Sequence, residues 1–267
     1  GAGTGKVRPR TGLIGVLLFM AGMMLSSPPA ASAEDRPAWQ YGLAFSYLTG
    51  DYGADENTDI LYGAAVLKRF FPRGDVTATI PWLDVSGGGV TLIDGGAEPI
   101  AGATGGSGLG DIVLKGRYYA VQQSGPLPFI DLVASLKLPT ASEAKGLGTG
   151  KQDFTLAAEF ARVLPGNRWI VLGELGHTFV GDPSGYDASN RWLYNLGLAC
   201  RTSPRTMLSG YLEGRTAVFA GNDDPLSLLL GGEFKLTPGL YPDTMVETGL
   251  NDGAPDLGVT IAIRKRI

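Results

Sequence analysis

The chain has one cysteine, Cys200, and one histidine, His177. A lone cysteine forms no internal disulfide. A lone histidine excludes metal sites built from histidine clusters, and any Ser–His hydrolase in this sequence has to use His177 as its base. Beyond residue 33 there is no apolar run long enough for a transmembrane helix and no convincing amphipathic helical period. The basic residues do not cluster except in the terminal RKR at 264–266, so a nucleic-acid partner is not expected. No cofactor is expected either. GAGTGKV at the start lacks the spacing and the Ser or Thr after Lys6 that a phosphate loop needs, and no strand precedes it. The acids of Asp223-Asp224 and of NDGAPD at 251–256 lack EF-hand spacing, which leaves ordinary turn chemistry.

What is present begins with export. The basic KVRPR, the apolar GLIGVLLFMAGMML and the small-residue site Ala31-Ser32-Ala33 follow one another in the order of a secretory signal. Residues 1–33 are therefore expected to be that signal, and 34–267 a single domain. Without Lys6, Arg8 and Arg10 the chain carries 19 basic and 26 acidic residues, a balance of −7.

The rest of the sequence alternates. In DIVLKGRYYAV at 111–121, Ile112, Leu114, Gly116, Tyr118 and Ala120 fall on one side, and Asp111, Val113, Lys115, Arg117 and Tyr119 on the other, the period of a strand. Similar segments recur at 39–48, 59–71, 75–84, 110–122, 128–138, 152–163, 168–180, 190–202, 206–219, 225–236, 244–250 and 256–266. Most have ten or more residues, the length a tilted strand needs to cross a bilayer, whereas globular strands average about five or six. Connections alternate too. Short Pro/Gly turns (PRG, SGPLP, PGN, SPR, TPGLYPD) interleave with mostly longer polar loops, the longest being 86–110. That loop is expected either to fold into the barrel mouth or to extend into solvent.

These features predict an all-β fold: a closed antiparallel transmembrane β-barrel of about twelve strands, with short periplasmic turns and longer extracellular loops, in the outer membrane of a Gram-negative bacterium. A two-sheet sandwich shows the same alternation with the faces reversed. In the barrel, Lys115, Arg117, Asp131, Glu159, Arg191, Arg201, Glu213, Arg215, Glu233 and Arg264 line the lumen, because burying one such charge against lipid costs about 2–4 kcal/mol. Strand 168–180 fits less well, since Glu174 shares a face with Ile170 and Leu172. Trp39, Tyr41, Trp82, Trp169, Phe179, Trp192 and Phe219 near strand ends suit interfacial girdles.

Three stretches, SGLGDI at 107–112, LKLPTA at 136–141 and LGTGKQDF at 147–154, resemble in order and spacing a family of outer-membrane proteins named for the meta-cleavage pathway of phenol degradation and labelled a transporter. The likeness runs from the fourth strand onward. It implies a channel for small aromatic or hydrophobic compounds and brings no agreed binding residues. Ala141 stands where the family has glycine, and the chain ends in Ile267 where such barrels end in an aromatic residue. The expected function is passive passage of small molecules through a charged lumen, with outer-membrane lipid, a small solute and the barrel-assembly machinery as partners. The alternatives are a plugged structural or receptor barrel and an outer-membrane lipid hydrolase using His177.

Overall fold

The computed structural model describes residues 38–267 except 55–56, 88–89, 94–95, 100–103 and 184. The expected signal segment 1–33 lies outside the described residues. Fifteen strands are described: β1 Trp39–Gly50, β2 Thr58–Phe71, β3 Gly74–Ser86, β4 Val90–Ile93, β5 Gly96–Pro99, β6 Gly106–Leu109, β7 Ile112–Val121, β8 Phe129–Leu138, β9 Asp153–Val163, β10 Trp169–Phe179, β11 Arg191–Ser203, β12 Thr206–Arg215, β13 Leu226–Phe234, β14 Leu240–Gly249 and β15 Leu257–Arg266. A 3-10 turn, Glu143–Lys145, sits between β8 and β9.

Every neighbouring pair in the wall is antiparallel, and β1 pairs with β15, which closes the sheet. Twelve staves make the wall, with β6 and β7 sharing one of them, since both pair with β3. The split has a local cause. Trp82 faces Leu109 and Thr79 faces Val113, so two residues of β3 oppose three of the partner strand, as in a β-bulge. Pro81 lies in that gap and offers no N–H. Its carbonyl accepts from Gly110 N at 2.9 Å, and a Cβ on Gly110 would fall 2.9 Å from the Pro81 ring.

Alternation decides which face meets which solvent. Phe45, Leu230 and Ile261 are 63%, 59% and 59% exposed, while Arg191, Lys68 and Glu247 are buried at 0%, 1% and 1%. A soluble sandwich has the opposite arrangement. Here the outward face is an apolar band suited to lipid and the inward face carries the charges. All the aromatics expected near the strand ends except Phe219 are exposed; Phe219 packs against Tyr186, with ring centroids 5.7 Å apart.

Two strand bounds need correction, and the segment 86–110 carries structure of its own. The segment 86–110 is not one open loop. It contains β6 and the hairpin β4–β5, whose Val90, Thr91, Leu92, Ile93, Ala97 and Glu98 are all buried. Strand β12 ends at Arg215 instead of 219; beyond it Thr216 still reaches β11, its N–H bonding Trp192 O and its Oγ1 accepting from Trp192 N, both at 2.9 Å. Strand β14 begins at Leu240 instead of 244. Pro242 is tolerated there because it pairs with Ile263 of β15 and lies beyond the last β13 pairing, Glu233 with Asp243, a free edge where no ladder donor is needed.

Candidate functional site: the barrel interior

The inner wall is organised by register. Following cross-strand partners from β15 round to β11 gives Arg266, Gln40, Lys68, Thr77, Lys115, Ser135, Thr155, Thr178 and Arg191. Every member is polar or charged. Because the strands tilt, this row climbs from the end with short turns to the end with long loops. A second row, from β9 round to β3, reads Ala161, Leu172, Gly197, Tyr211, Leu229, Glu247, Gly258, Leu48, Ile60 and Val85. It is apolar apart from the Tyr211 hydroxyl and Glu247, and it also climbs between the two ends. The interior thus carries a polar track and an apolar track. Ile170 and Leu172 share a face with Glu174 because part of the inner wall is itself apolar.

All ten residues expected to line the lumen lie at inward positions. Arg117 joins three acids: Glu159 at 2.7 Å, Asp75 at 3.6 Å and Asp131 at 3.7 Å. Lys68 bonds Asp75 at 3.0 Å, and Tyr119 donates to Asp75 at 2.8 Å. Arg264 pairs with Asp243 at 2.9 Å and with Glu233. Arg201 stands apart: its guanidinium reaches the rim and donates to Asn167 O at 3.4 Å. Asp131, Glu159, Glu174, Asn195 and Glu213 are cross-strand neighbours on five successive strands. Lys115, Thr155, Glu174, Arg191, Asn195 and Glu213 help to line a cavity of about 60 Å³, room for a few waters.

The hairpin β4–β5 sits inside the barrel. Its Glu98 pairs with Arg191 at the loop end of β11 and accepts from Asn222 Nδ2 at 3.0 Å. Arg191 Nη1 also donates to Ile93 O at 3.1 Å. On the other side Val90, Leu92 and Ala97 pack into the apolar track with Leu48, Ile60, Leu83, Val85, Leu229 and Met245. Tyr52, from the loop after β1, joins this cluster. Burial pushes its phenol well above the usual value, and the Glu247 charge adds to the shift.

The three stretches noted in the sequence meet at one point. Lys137 Nζ lies 2.6 Å from Asp153, 3.3 Å from Asp111 and 3.1 Å from Thr149 Oγ1. Thr140 Oγ1 donates to Gly110 O and accepts from Ile112 N, at 2.7 and 2.9 Å. Ala141 N donates to Asp111 at 2.9 Å. Gly148 passes so close that a Cβ there would lie 2.5 Å from the Asp111 carboxylate. The knot also holds the long loop: Leu92 N bonds Gly146 O at 3.2 Å, and Lys145 Nζ bonds Ser107 O at 2.8 Å.

Sequence reasoning missed Lys68, Asp75, Glu98, Lys137, Asp153, Glu174, Asp243 and Glu247 as interior charges. Alternation within the strands was enough to find all but Glu98, whose hairpin carries no such signal, and Asp243, which fell in the expected turn before residue 244.

An inverted, closed wall with an internal hairpin defines the class, a membrane-type barrel whose lumen is partly filled by its own chain. The chain belongs to the family described as "Putative MetA-pathway of phenol degradation", whose model matches residues 73–264. Among solved structures it is similar to the COG4313 outer membrane channel from Pseudomonas putida F1, with 14% identity, a TM-score of 0.69, and 91% of this chain and 100% of that one covered. It is also similar to the NanC porin, at 8% identity and TM-score 0.55 over 85% of this chain and 100% of the other. The CymD monoaromatic hydrocarbon channel matches at 11% identity and TM-score 0.50 over 99% and 96%. These likenesses establish the barrel fold. No curated protein matches the chain.

Proposed function

We propose that this barrel is a passive outer-membrane channel for small molecules of partly apolar, aromatic character, resting in a closed state in which the β4–β5 hairpin fills the lumen. Lipid covers its apolar band, the signal segment exports it, and the barrel-assembly machinery inserts it. The observation that carries the reading is the pair of tracks, polar and apolar, climbing between the two ends behind a hairpin of the same chain. An interior built only for stability has no need of an apolar wall covered by a separate segment. The interior cavity of about 60 Å³ among Lys115, Glu174, Arg191 and Glu213 is well below the roughly 150 Å³ that holds a benzene. Passage of an aromatic solute therefore requires the hairpin to move. The lumen has no energy source of its own, so selection rests on width, charge and the hairpin.

The test is planar-bilayer conductance of the purified chain beside a variant with residues 90–99 replaced by a Gly/Ser linker. Small currents from the native chain and larger, steadier ones from the variant are expected. Silence from both would support instead a plugged barrel, the reading favoured by the ion pairs that hold the hairpin. The hydrolase alternative gains nothing from the fold. His177 lies between Leu156 and Trp192 on the neighbouring strands, with its ring edge-on to Phe179 and Trp192 at 4.8 and 4.7 Å.

A further inference from the structure

Among the described residues of the β4–β5 hairpin, Glu98 alone carries a charge, and both of its carboxylate oxygens are received by the surrounding chain. Arg191 Nη2 donates to Oε1, and Asn222 Nδ2 donates to Oε2 at 3.0 Å. The donors come from separate places, the first residue of β11 and the loop after β12. A guanidinium and an amide set on the two oxygens of one carboxylate make a receptor for that group. Arg191 is 0% exposed, and a cation buried so deeply needs an anion beside it.

Register fixes what surrounds this receptor. Arg215 lies opposite Leu193, two residues from Arg191 along β11. Lys115, Arg191 and Arg215 line the same interior cavity. The acids of that cavity sit deeper: Asn195, whose cross-strand neighbours are Glu174 and Glu213, lies four residues beyond Arg191. Inside the barrel, an anion moving from the long-loop end therefore meets the two arginines before either of these acids.

The hairpin has two faces. Thr91 pairs with Glu98 and Leu92 with Ala97, and successive residues of a strand point to opposite sides. Glu98 goes to Arg191, while Leu92 and Ala97 join the apolar cluster with Leu48, Ile60, Leu229 and Met245. The segment filling the lumen is thus itself an amphiphile, one carboxylate on an apolar body, matched to a polar and an apolar wall.

We propose that Arg191 and Asn222 are a carboxylate receptor for cargo, which Glu98 fills as a built-in stand-in while the channel is closed. The cargo class is a small monocarboxylate on an apolar body. Its carboxylate replaces that of Glu98, and its apolar part takes the surface vacated by Leu92 and Ala97. Cargo and hairpin compete for one site, so cargo favours the open state by its higher affinity for that state. The inference rests on the channel reading and names its substrate class.

The experiment is calorimetry on the full chain in detergent with three probes, and empty micelles as control. Benzoate is the test ligand, benzamide its neutral counterpart of the same shape, and acetate a carboxylate without the apolar body. Glu98→Gln removes the competing charge and keeps the size. It is expected to bind benzoate about tenfold more tightly than the native chain does, and about tenfold more tightly than it binds benzamide or acetate, the size of one hydrogen bond to a charged group. Arg191→Gln also releases the hairpin, yet loses the preference for benzoate over benzamide. The Gly/Ser variant of residues 90–99, which lacks Glu98 altogether, behaves as Glu98→Gln and replaces it should that variant not fold. Heat-dependent gel migration checks folding. Benzamide or acetate matching benzoate in Glu98→Gln, benzoate binding no tighter there than in the native chain, or a preference that survives Arg191→Gln overturns the proposal. Conductance of the Gly/Ser variant is read separately: silence there defeats the channel reading, whereas current without a benzoate preference defeats only the receptor.

Discussion

Arg191, the first residue of β11, holds Glu98 of the interior hairpin in an ion pair, with both side chains at most 2% exposed. Arg191 also takes the Ile93 carbonyl, so one guanidinium grips both strands of the hairpin. Removing Glu98 leaves a buried cation without its carboxylate, a loss of about 3–5 kcal/mol. The loss falls on the closed state, because an open lumen lets water reach Arg191. Glu98→Ala is therefore expected to shift the closed-to-open ratio by on the order of a hundredfold or more. Single-channel recordings should show long openings where the native chain shows brief ones. Unchanged open times would mean that the hairpin does not gate.

Lys137 is the centre of the knot formed by the three sequence stretches. Both of its carboxylates are buried, at 8% for Asp111 and below 1% for Asp153. Lys137→Ala leaves two acids facing each other without a cation, and a destabilisation of about 3–5 kcal/mol is expected, seen as a lower urea midpoint for loss of the heat-resistant band. Gly148→Ala tests the same place sterically. Its new Cβ would crowd the Asp111 carboxylate and Ala141, predicted contacts of 2.5 and 2.9 Å, so both must shift. Glycine at 148 is also what makes room for Ala141 opposite it. Both variants should loosen the hairpin, since Leu92 is tied to Gly146 inside this knot.

His177 sits in an aromatic patch on the outer wall with Phe179 and Trp192. His177→Phe keeps the edge-on ring contacts and removes a polar group from the lipid face. Stability equal to or above the native level is expected by thermal melting in detergent. Lipid hydrolysis by the native chain that disappears in His177→Ala would revive the enzyme reading and contradict this account.

Much of the wall was readable from the sequence because two periods coincide: the two-residue alternation, and the succession of short turns and long loops. Strand positions fell within a few residues wherever a turn carried Pro or Gly. The failures have physical causes. The hairpin Val90–Ile93 and Gly96–Pro99 is too short to show a period, and Glu98 finds Arg191 across 93 positions of sequence. Leu172, Leu229 and Leu48 look like lipid-facing residues by composition. They face inward because the lumen keeps an apolar track, which polarity alone does not reveal. Asp243 escaped notice because strand β14 was taken to start at 244, which left it in the turn with Pro242.

Leu212 and Glu213 are adjacent in β12 and face opposite solvents: Leu212 is 43% exposed on the outer band, whereas Glu213 lines the interior cavity. The same cation placed at each position therefore reads out the inversion directly. At Leu212 a lysine enters the lipid near midplane, at a cost of about 2–4 kcal/mol. At Glu213 it faces a polar lumen beside Glu174, Asn195 and Arg215, where the Glu174 carboxylate and the Asn195 amide can receive a cation and the cost is expected to be smaller. Equilibrium folding into phospholipid vesicles, followed by gel migration, should separate the two by several-fold in urea-dependent yield. A soluble sandwich would reverse the order, because Leu212 would then pack inward and Glu213 face water, and that result would remove the channel and its cargo together.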